Sequence, residues 1–111
     1  MSDGVVVIDS QNRIVDINPA ACRMFNCPVK PPIGQPAGLI FDPWPELVER
    51  YRNVTLAHDP IELTIGDRVL TYDLRITPLI SKNQEVVGRL ILVRNTTESR
   101  RVQQALQGGR L

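Results

Sequence analysis

The amino-acid sequence predicts an α+β fold, in which one antiparallel sheet carries helices on one face and a further helix leaves its C-terminal end. Three observations support this prediction. The 111 residues suffice for one domain with one core. Segments of strand-like pattern lie at both ends of the chain, with helical and proline-rich stretches between them. The last three strand-like segments are joined by turns too short for a parallel crossover, so these strands are antiparallel.

The first 25 residues predict a hairpin and a short helix. Residues 4–9 are rich in β-branched side chains and end in a polar turn at 10–12, after which residues 13–17 form a second strand. Asn18 is expected to cap a helix, and Pro19 suits the first helical position because no N–H donor is needed there. The helix then presents three side chains on one face: Ala21, Met24 and Phe25.

The middle of the chain predicts an irregular connector and a second helix. Six of the nine prolines fall within residues 28–45, which excludes a long helix or the interior of a strand. One helical turn is expected near 37–41, and Asp42 before Pro43 resembles a further cap. A helix from Pro45 to about residue 53 is predicted from an apolar stripe at helical spacing: Leu47, Val48, Tyr51 and Val54.

Three strands and a terminal helix complete the chain. Residues 61–65 and 70–77 alternate with a period of two, and residues 86–94 are apolar on both faces, as in a central strand. Asn95 then resembles an N-cap, because Glu98 follows three residues later as in a capping box. The helix that it begins is predicted to run through Leu106.

These segments, in this order, resemble the PAS family over nearly the whole chain. The resemblance rests on the opening strand at 3–9, on the second strand and capped helix at 14–21, and on the last strand with its exit motif at 90–98. Phe25 and Gly34 also fall where the family usually has an aromatic residue and then a glycine. The resemblance implies a PAS-like sheet of five antiparallel strands in the order 2-1-5-4-3, with helices on one face.

The resemblance also implies a division of the chain, with a sensory domain at 1–95 and a signalling or linker helix at 96–111. The chain starts almost at the first strand, and we expect it to be part of a longer protein. Asn95 stands where the family usually has Asp, which keeps the cap but removes a charge that could pair with a basic partner. Prolines also make the segment before the second helix stiffer than usual: Pro28, Pro31, Pro32 and Pro36.

A non-catalytic sensory, regulatory and dimerisation module of a signal-transduction protein is the function that the resemblance implies. The usual parent is a sensor histidine kinase of a two-component phosphorelay, and others are cyclic-dinucleotide enzymes and chemoreceptors. The expected partners are a second copy of the chain and a C-terminal effector domain. The signal would leave through the exit helix, at Asn95, Thr96, Glu98, Val102 and Leu106. Two alternatives stay open: a haem- or flavin-binding redox or gas sensor, and a protein–protein interaction scaffold with a solid core.

A small-molecule ligand would occupy a pocket between the sheet and the second helix. The side chains expected to line it are Leu47, Tyr51, Ile65, Tyr72, Leu74, Leu90 and Leu92. The two tyrosine hydroxyls among them could orient a ligand. The alternative interpretation is that these residues form an ordinary packed core.

The sequence supplies few groups for a cofactor, and we expect none. His58, the one histidine, could ligate haem, but an exposed loop position is the simpler interpretation. The reactive-cysteine motif of flavin-binding relatives is reduced here to Asn26 and Cys27. Cys22 and Cys27 are expected to be reduced thiols, because one continuous helix would separate their Cα atoms by about 8–9 Å and a disulfide tolerates up to ~7 Å. Two cysteines and one histidine cannot close a tetrahedral zinc site.

Composition excludes several other classes of function. The net charge is +1, from 13 basic and 12 acidic residues, so a clustered nucleic-acid-binding surface is not expected. No apolar run approaches the ~18 residues of a membrane span, and the N-terminus does not resemble a signal peptide. We therefore expect a cytoplasmic domain without direct membrane contact, in a parent protein that could itself be anchored. Asp9 and Asp16 are expected to decorate the hairpin rather than to form a catalytic pair.

Overall fold

The computed structural model of this 111-residue chain describes residues 3–27 and 32–96. Its elements follow in the order β1 (Gly4–Asp9), β2 (Ile14–Ile17), α1 (Pro19–Met24), a 3-10 turn (Ala37–Leu39), α2 (Pro45–Tyr51), β3 (Ala57–Ile65), β4 (Arg68–Ile80) and β5 (Val86–Asn95). The predicted α+β class is confirmed. The predicted exit helix lies outside the described residues and stays a prediction.

The five strands form one sheet in the order β2-β1-β5-β4-β3, and every neighbouring pair is antiparallel. This confirms the predicted strand order. β5 lies in the centre, which explains why its sequence is apolar on both faces. It pairs with β1 in a register that places Val6 opposite Ile91. Gly88 permits the close approach of the two strands, because a Cβ there would collide with the carbonyl oxygen of Ile8.

One face of the sheet, here called the inner face, is covered by the helices and forms the core. Alternation along β5 places Arg89, Ile91 and Val93 on the inner face, and Leu90 and Leu92 on the opposite or outer face. The other strands and α1 contribute further buried apolar residues to this core: Val6, Ile8, Ile14, Ile17, Ala21, Phe25, Ile61, Leu63, Tyr72, Leu74 and Ile76.

Asn18 joins α1 to β1, as its predicted role as a cap requires. Its Oδ1 accepts hydrogen bonds of 2.9 Å from the backbone N–H of Ala21, in the first turn of α1, and from that of Val5 in β1. Its Nδ2 donates to the carbonyl oxygen of Asp3 at 2.8 Å. One side chain therefore satisfies an unpaired N–H of the helix and fixes the helix on the inner face of the sheet.

The proline-rich connector folds back over the turn between β1 and β2. The N–H of Ile14 donates to the carbonyl oxygen of Gln35 at 2.8 Å, and the N–H of Gly34 donates to that of Ile14 at 2.7 Å. Gly34 has a φ of 84°, which glycine adopts without strain. The N–H of Ala37 donates to the carbonyl oxygen of Asn12 at 2.8 Å, so the 3-10 turn lies beside the hairpin turn.

α2 begins at Pro45, and the predicted cap at Asp42 is wrong. Trp44 occupies the N-cap position without a capping side-chain bond. Its indole Nε1 donates instead to the carbonyl oxygen of Thr64 at 3.2 Å, and its ring packs edge-on against Phe25 at 5.8 Å. Aromatic packing thus replaces the cap at this end of α2. No residue of α2 is fully buried, and its predicted stripe is half-buried: Leu47, Val48, Tyr51 and Val54.

β3 and β4 are both longer than predicted. Each includes a proline at a position where one side of the strand has no neighbouring strand. β3 begins at Ala57, four residues earlier than expected, and therefore includes His58 and Pro60. Proline is tolerated there because β3 is an edge strand. β4 likewise continues through Pro78, which lies beyond the last residue that pairs with β3, Ile76.

Candidate functional site

An apolar cavity of about 220 Å³ lies between the inner face of the sheet and the helical side of the domain. It exists because α2 stands away from the sheet, with none of its side chains fully buried. The apolar lining comes from β1, the two long strands β4 and β5, and α2: Ile8, Leu74, Ile76, Ile91, Leu47 and Val48. Exposed polar side chains complete the lining at its rim: Gln11, Asn12 and Arg52.

Arg89 of β5 is the one buried charged side chain in residues 3–27 and 32–96, at 9% exposure, and it also lines the cavity. Its Nη1 donates to two carbonyl oxygens where α2 ends, at 2.9 Å to Tyr51 and 2.7 Å to Val54. Its Nη2 donates to Oδ1 of Asn12 in the hairpin turn. The guanidinium therefore connects the central strand, the end of α2 and the hairpin turn around one side of the cavity.

Local geometry explains why these partners meet. Arg89 shares the inner face with Ile91 and Val93, so its side chain enters the layer between sheet and helices. The last carbonyl oxygens of a helix lack intrahelical partners and favour a cation. Asn12 has a φ of 60°, a left-handed conformation that asparagine tolerates better than most residues.

The positive charge of Arg89 is stabilised by hydrogen bonds to uncharged oxygen atoms. No carboxylate lies within ion-pair distance of it in the part of the chain that the structure describes. Burial lowers the pKa of Arg89 from its ordinary value. A buried cation without an anionic partner is costly, and such groups concentrate at functional sites.

A polar cleft of about 210 Å³ adjoins the apolar cavity and shares Asn12, Arg52 and Arg89 with it. Asp9 also lines this cleft, but its Oδ1 already accepts 2.9 Å hydrogen bonds from the backbone of the hairpin turn. Arg52 is exposed and pairs with Glu49 at 3.1 Å. Arg89 thus borders an apolar space on one side and a polar space on the other.

Three of the seven predicted pocket residues line the cavity: Leu47, Tyr51 and Leu74. Tyr72 is buried in the core outside the cavity, and Ile65 is 38% exposed at the hairpin end of β3. Leu90 and Leu92 require a correction, because they lie on the outer face while their neighbours in β5 take the inner one.

Of the two tyrosines whose hydroxyls were predicted to orient a ligand, Tyr51 lines the cavity and Tyr72 does not. The hydroxyl of Tyr51 donates to Oδ2 of Asp59 at 2.8 Å. Burial, followed by the neighbouring Asp59, raises the pKa of Tyr51. Burial alone raises the pKa of Tyr72, which lies outside the cavity. The buried polar side chain that lines the cavity is instead that of Arg89, which the sequence analysis missed. The sequence feature that could have revealed it is an arginine among the apolar side chains on the inner face of β5.

His58 and the cysteines lie away from the cavity. Nε2 of His58 is 3.0 Å from Oδ2 of Asp73 on the outer face of the sheet, so no imidazole of the described chain faces the cavity where haem would need a ligand. Residues 3–27 and 32–96 contain no group of three metal-binding side chains. Cys22 and Cys27 are free thiols, and burial raises the pKa of Cys27 to about 11. The described residues therefore do not fit haem ligation through His58.

The end of β5 is fixed to its neighbours. Asn95 is the last residue of the strand, and the N–H and Oγ1 of Thr96 both donate to the carbonyl oxygen of Thr71, at 2.9 and 3.3 Å. Arg94 forms two hydrogen bonds of 3.2 Å with the carboxylate of Asp3, just before β1. The other predicted exit residues lie outside the described residues: Glu98, Val102 and Leu106.

Within the described residues, no helix has the length and apolar character to cross a membrane.

Comparison with known proteins gives a consistent result. A family profile described as "PAS fold" matches residues 1–101. A PAS domain from Colwellia psychrerythraea is 22% identical with a TM-score of 0.60, over 86% of this chain and 87% of that one. The PAS domain of Bordetella pertussis BvgS is 17% identical with a TM-score of 0.69, over 97% and 86%. A sensory box sensor histidine kinase from Vibrio cholerae is 12% identical with a TM-score of 0.68, over 87% and 83%. No curated protein matches the sequence.

Proposed function

Because this chain belongs to the PAS fold family, whose members are in general sensory modules, we propose that it is the ligand-binding sensor of a signal-transduction protein. The observation that carries this proposal is the apolar cavity of about 220 Å³ between the sheet and α2. An apolar space with a few polar groups at its rim is typical of small-molecule sites. We propose a regulatory rather than a catalytic role for the domain.

The apolar lining of the cavity favours an occupant. A ligand that fills the space recovers dispersion contacts and removes apolar surface from water.

The proposed signal path runs along β5. This strand contributes Arg89 and Ile91 to the cavity and ends at Asn95, from which residues 96–111 would lead to an effector domain. Filling the cavity would bias the position of α2 and β5, and the segment after β5 would report the change. We propose a sensor histidine kinase as the parent protein and the cytoplasm as the location, where two free cysteines remain reduced.

We also propose that the domain forms a homodimer through the outer face of the sheet. Four apolar side chains, here called the outer strip, form two facing pairs on β1 and β5: Val5 with Leu92, and Val7 with Leu90. The described helices pack on the inner face and leave the outer strip half-buried. An apolar strip of this kind is typical of interaction surfaces.

Native mass spectrometry of the freshly purified chain, with an absorbance spectrum, tests the ligand-binding function. We expect a non-covalent adduct of a small organic molecule. Val48→Phe fills part of the cavity and should abolish the adduct, whereas the same change at the exposed Val69 should retain it. A clean apo mass, without an absorbance band, would instead support an interaction scaffold with a closed core.

A further inference from the structure

The guanidinium of Arg89 has donors to spare at the wall of the cavity. A guanidinium carries five N–H groups, and the described residues accept from three of them, two on Nη1 and one on Nη2. The N–H on Nε and one N–H on Nη2 have no acceptor among the described residues. Nε and Nη2 lie on one edge of the guanidinium, and such an edge can pair with the two oxygens of a carboxylate.

We infer that the cavity binds a small amphipathic carboxylate, whose carboxylate group pairs with Arg89 and whose apolar part occupies the space between the sheet and α2. This inference rests on the proposed ligand-binding function and names the class of ligand. It is carried by two observations that coincide: an apolar cavity, and a charged side chain more than nine-tenths buried at its wall.

The surrounding charges favour an anion. Arg89 has no carboxylate partner in the described residues, whereas Arg52, which lines the same cavity, is exposed and paired with Glu49. Among the residues that line the two spaces, the one carboxylate is that of Asp9, which lines the polar cleft but not the apolar cavity. An anion in the cavity would therefore meet, at Arg89, a positive charge that no carboxylate of the described residues neutralises.

The size of the cavity limits the ligand. Cavities of about 150 Å³ accept benzene, and sites for drug-sized molecules begin at about 300 Å³. The space here, about 220 Å³, lies between the two. It therefore accommodates a carboxylic acid of roughly eight to twelve non-hydrogen atoms.

Isothermal titration calorimetry on the 111-residue chain tests the inference with straight-chain acids of about four to ten carbons, each compared with its primary amide. At neutral pH the acids are ionised and the amides are not. We expect at least one acid to bind about tenfold to a hundredfold more tightly than its amide, as a hydrogen-bonded charge implies. Arg89→Gln should remove that difference, and the matched change at the exposed Arg68 should preserve it.

Each outcome is decisive. If each acid and its amide bind with equal affinity, the proposed role of Arg89 is wrong, but the proposed ligand-binding function is still supported. Absence of any acid binding would also overturn the inference, and the native mass experiment would then decide separately whether the cavity takes a neutral ligand. If Arg89→Gln fails to fold, the comparison of acids with amides on the unchanged chain still decides. Arg89→Lys keeps the charge without the paired donors and should weaken acid binding.

Discussion

At the scale of single residues, Arg89 shows how a buried charge can be both structural and available to a ligand. Its bonds to the carbonyl oxygens of Tyr51 and Val54 satisfy the end of α2. The same bonds aim the guanidinium at the cavity and hold it there. A ligand would then meet a donor group that is already oriented, so little conformational entropy is lost on binding.

Cys27 allows a test of how burial acts on one thiol. Burial, and to a lesser degree Cys22, raises its pKa from 9.0 to about 11. We expect Cys27 in the variant Cys22→Ser to keep a pKa above that of the denatured chain, because burial is the larger cause. The rate of alkylation as a function of pH measures it, since the thiolate is the reactive form. A midpoint equal to that of the denatured chain would contradict the prediction.

The raised pKa of Cys27 also predicts how the free energy of unfolding changes with pH. Because the folded pKa lies above the unfolded one, the stabilising contribution of this thiol is complete below pH 9.0 and is lost as the pH rises toward about 11.

Residue-scale prediction from the sequence succeeded where helical spacing and strand alternation were clear. Leu47, Tyr51 and Leu74, which were predicted to line a ligand pocket, line the cavity, and their role in binding a ligand stays a prediction. In β5 both faces are apolar, so the pattern left open which of them faces the core. Leu90 and Leu92 were named for the pocket, and the structure places Ile91 and Val93 on the inner face instead. The identity of the polar group depended on the distant carbonyl oxygens that Arg89 meets, which no local pattern encodes.

At the scale of elements, α1 depends on one asparagine. Asn18 makes three hydrogen bonds that join α1, β1 and the segment before β1. We expect Asn18→Ala to lower the free energy of unfolding by about 1–3 kcal/mol, because the bonds are lost and partly buried groups are left unpaired. Urea denaturation measures this change.

A matched control is available in Asn83→Ala, at an exposed turn position, which should change stability by less than about 0.5 kcal/mol. Asn18→Asp retains the acceptor but loses the donor to Asp3, so its loss should be smaller than that of Asn18→Ala. Equal stability of Asn18→Ala and the unchanged chain would refute the role of the cap.

Elements were predictable where a local signal coincided with the tertiary structure. The pair Asn18–Pro19 predicted the start of α1, and the start is where expected. β3 and β4 were predicted too short, and the longer strands include Pro60 and Pro78, which are compatible with a strand only because of strand order and register. The start of α2 at Pro45 is also where expected. The cap expected at Asp42 was wrong, because Trp44 precedes the helix and packs against Phe25, which is distant in sequence.

At the scale of the whole molecule, the two faces of the sheet have different proposed functions. The inner face would bind a ligand, and the outer face would bind a second copy of the chain. We expect Val7→Lys, within the outer strip, to convert a dimer to a monomer, because it places a charge in the apolar contact. Analytical ultracentrifugation over a range of concentrations measures the change. Circular dichroism should show that the fold persists.

The same substitution at Val69 serves as the control, because that valine is 56% exposed on β4, outside the outer strip. It should leave the dimer intact. A chain that is monomeric at all concentrations, or a dimer that survives Val7→Lys, would show that the outer strip is not the interface.

The ion pair between Asp3 and Arg94 has a consequence for any longer polypeptide that carries this domain. Gly4 lies opposite Val93 in the sheet, so the first strand starts where the central strand finishes. The points at which such a polypeptide would enter β1 and leave β5 are therefore next to each other. The width of the domain would then not add to the distance between the segments that precede and follow it. A displacement of β5 along β1 would shift the points where both segments are attached, in opposite directions.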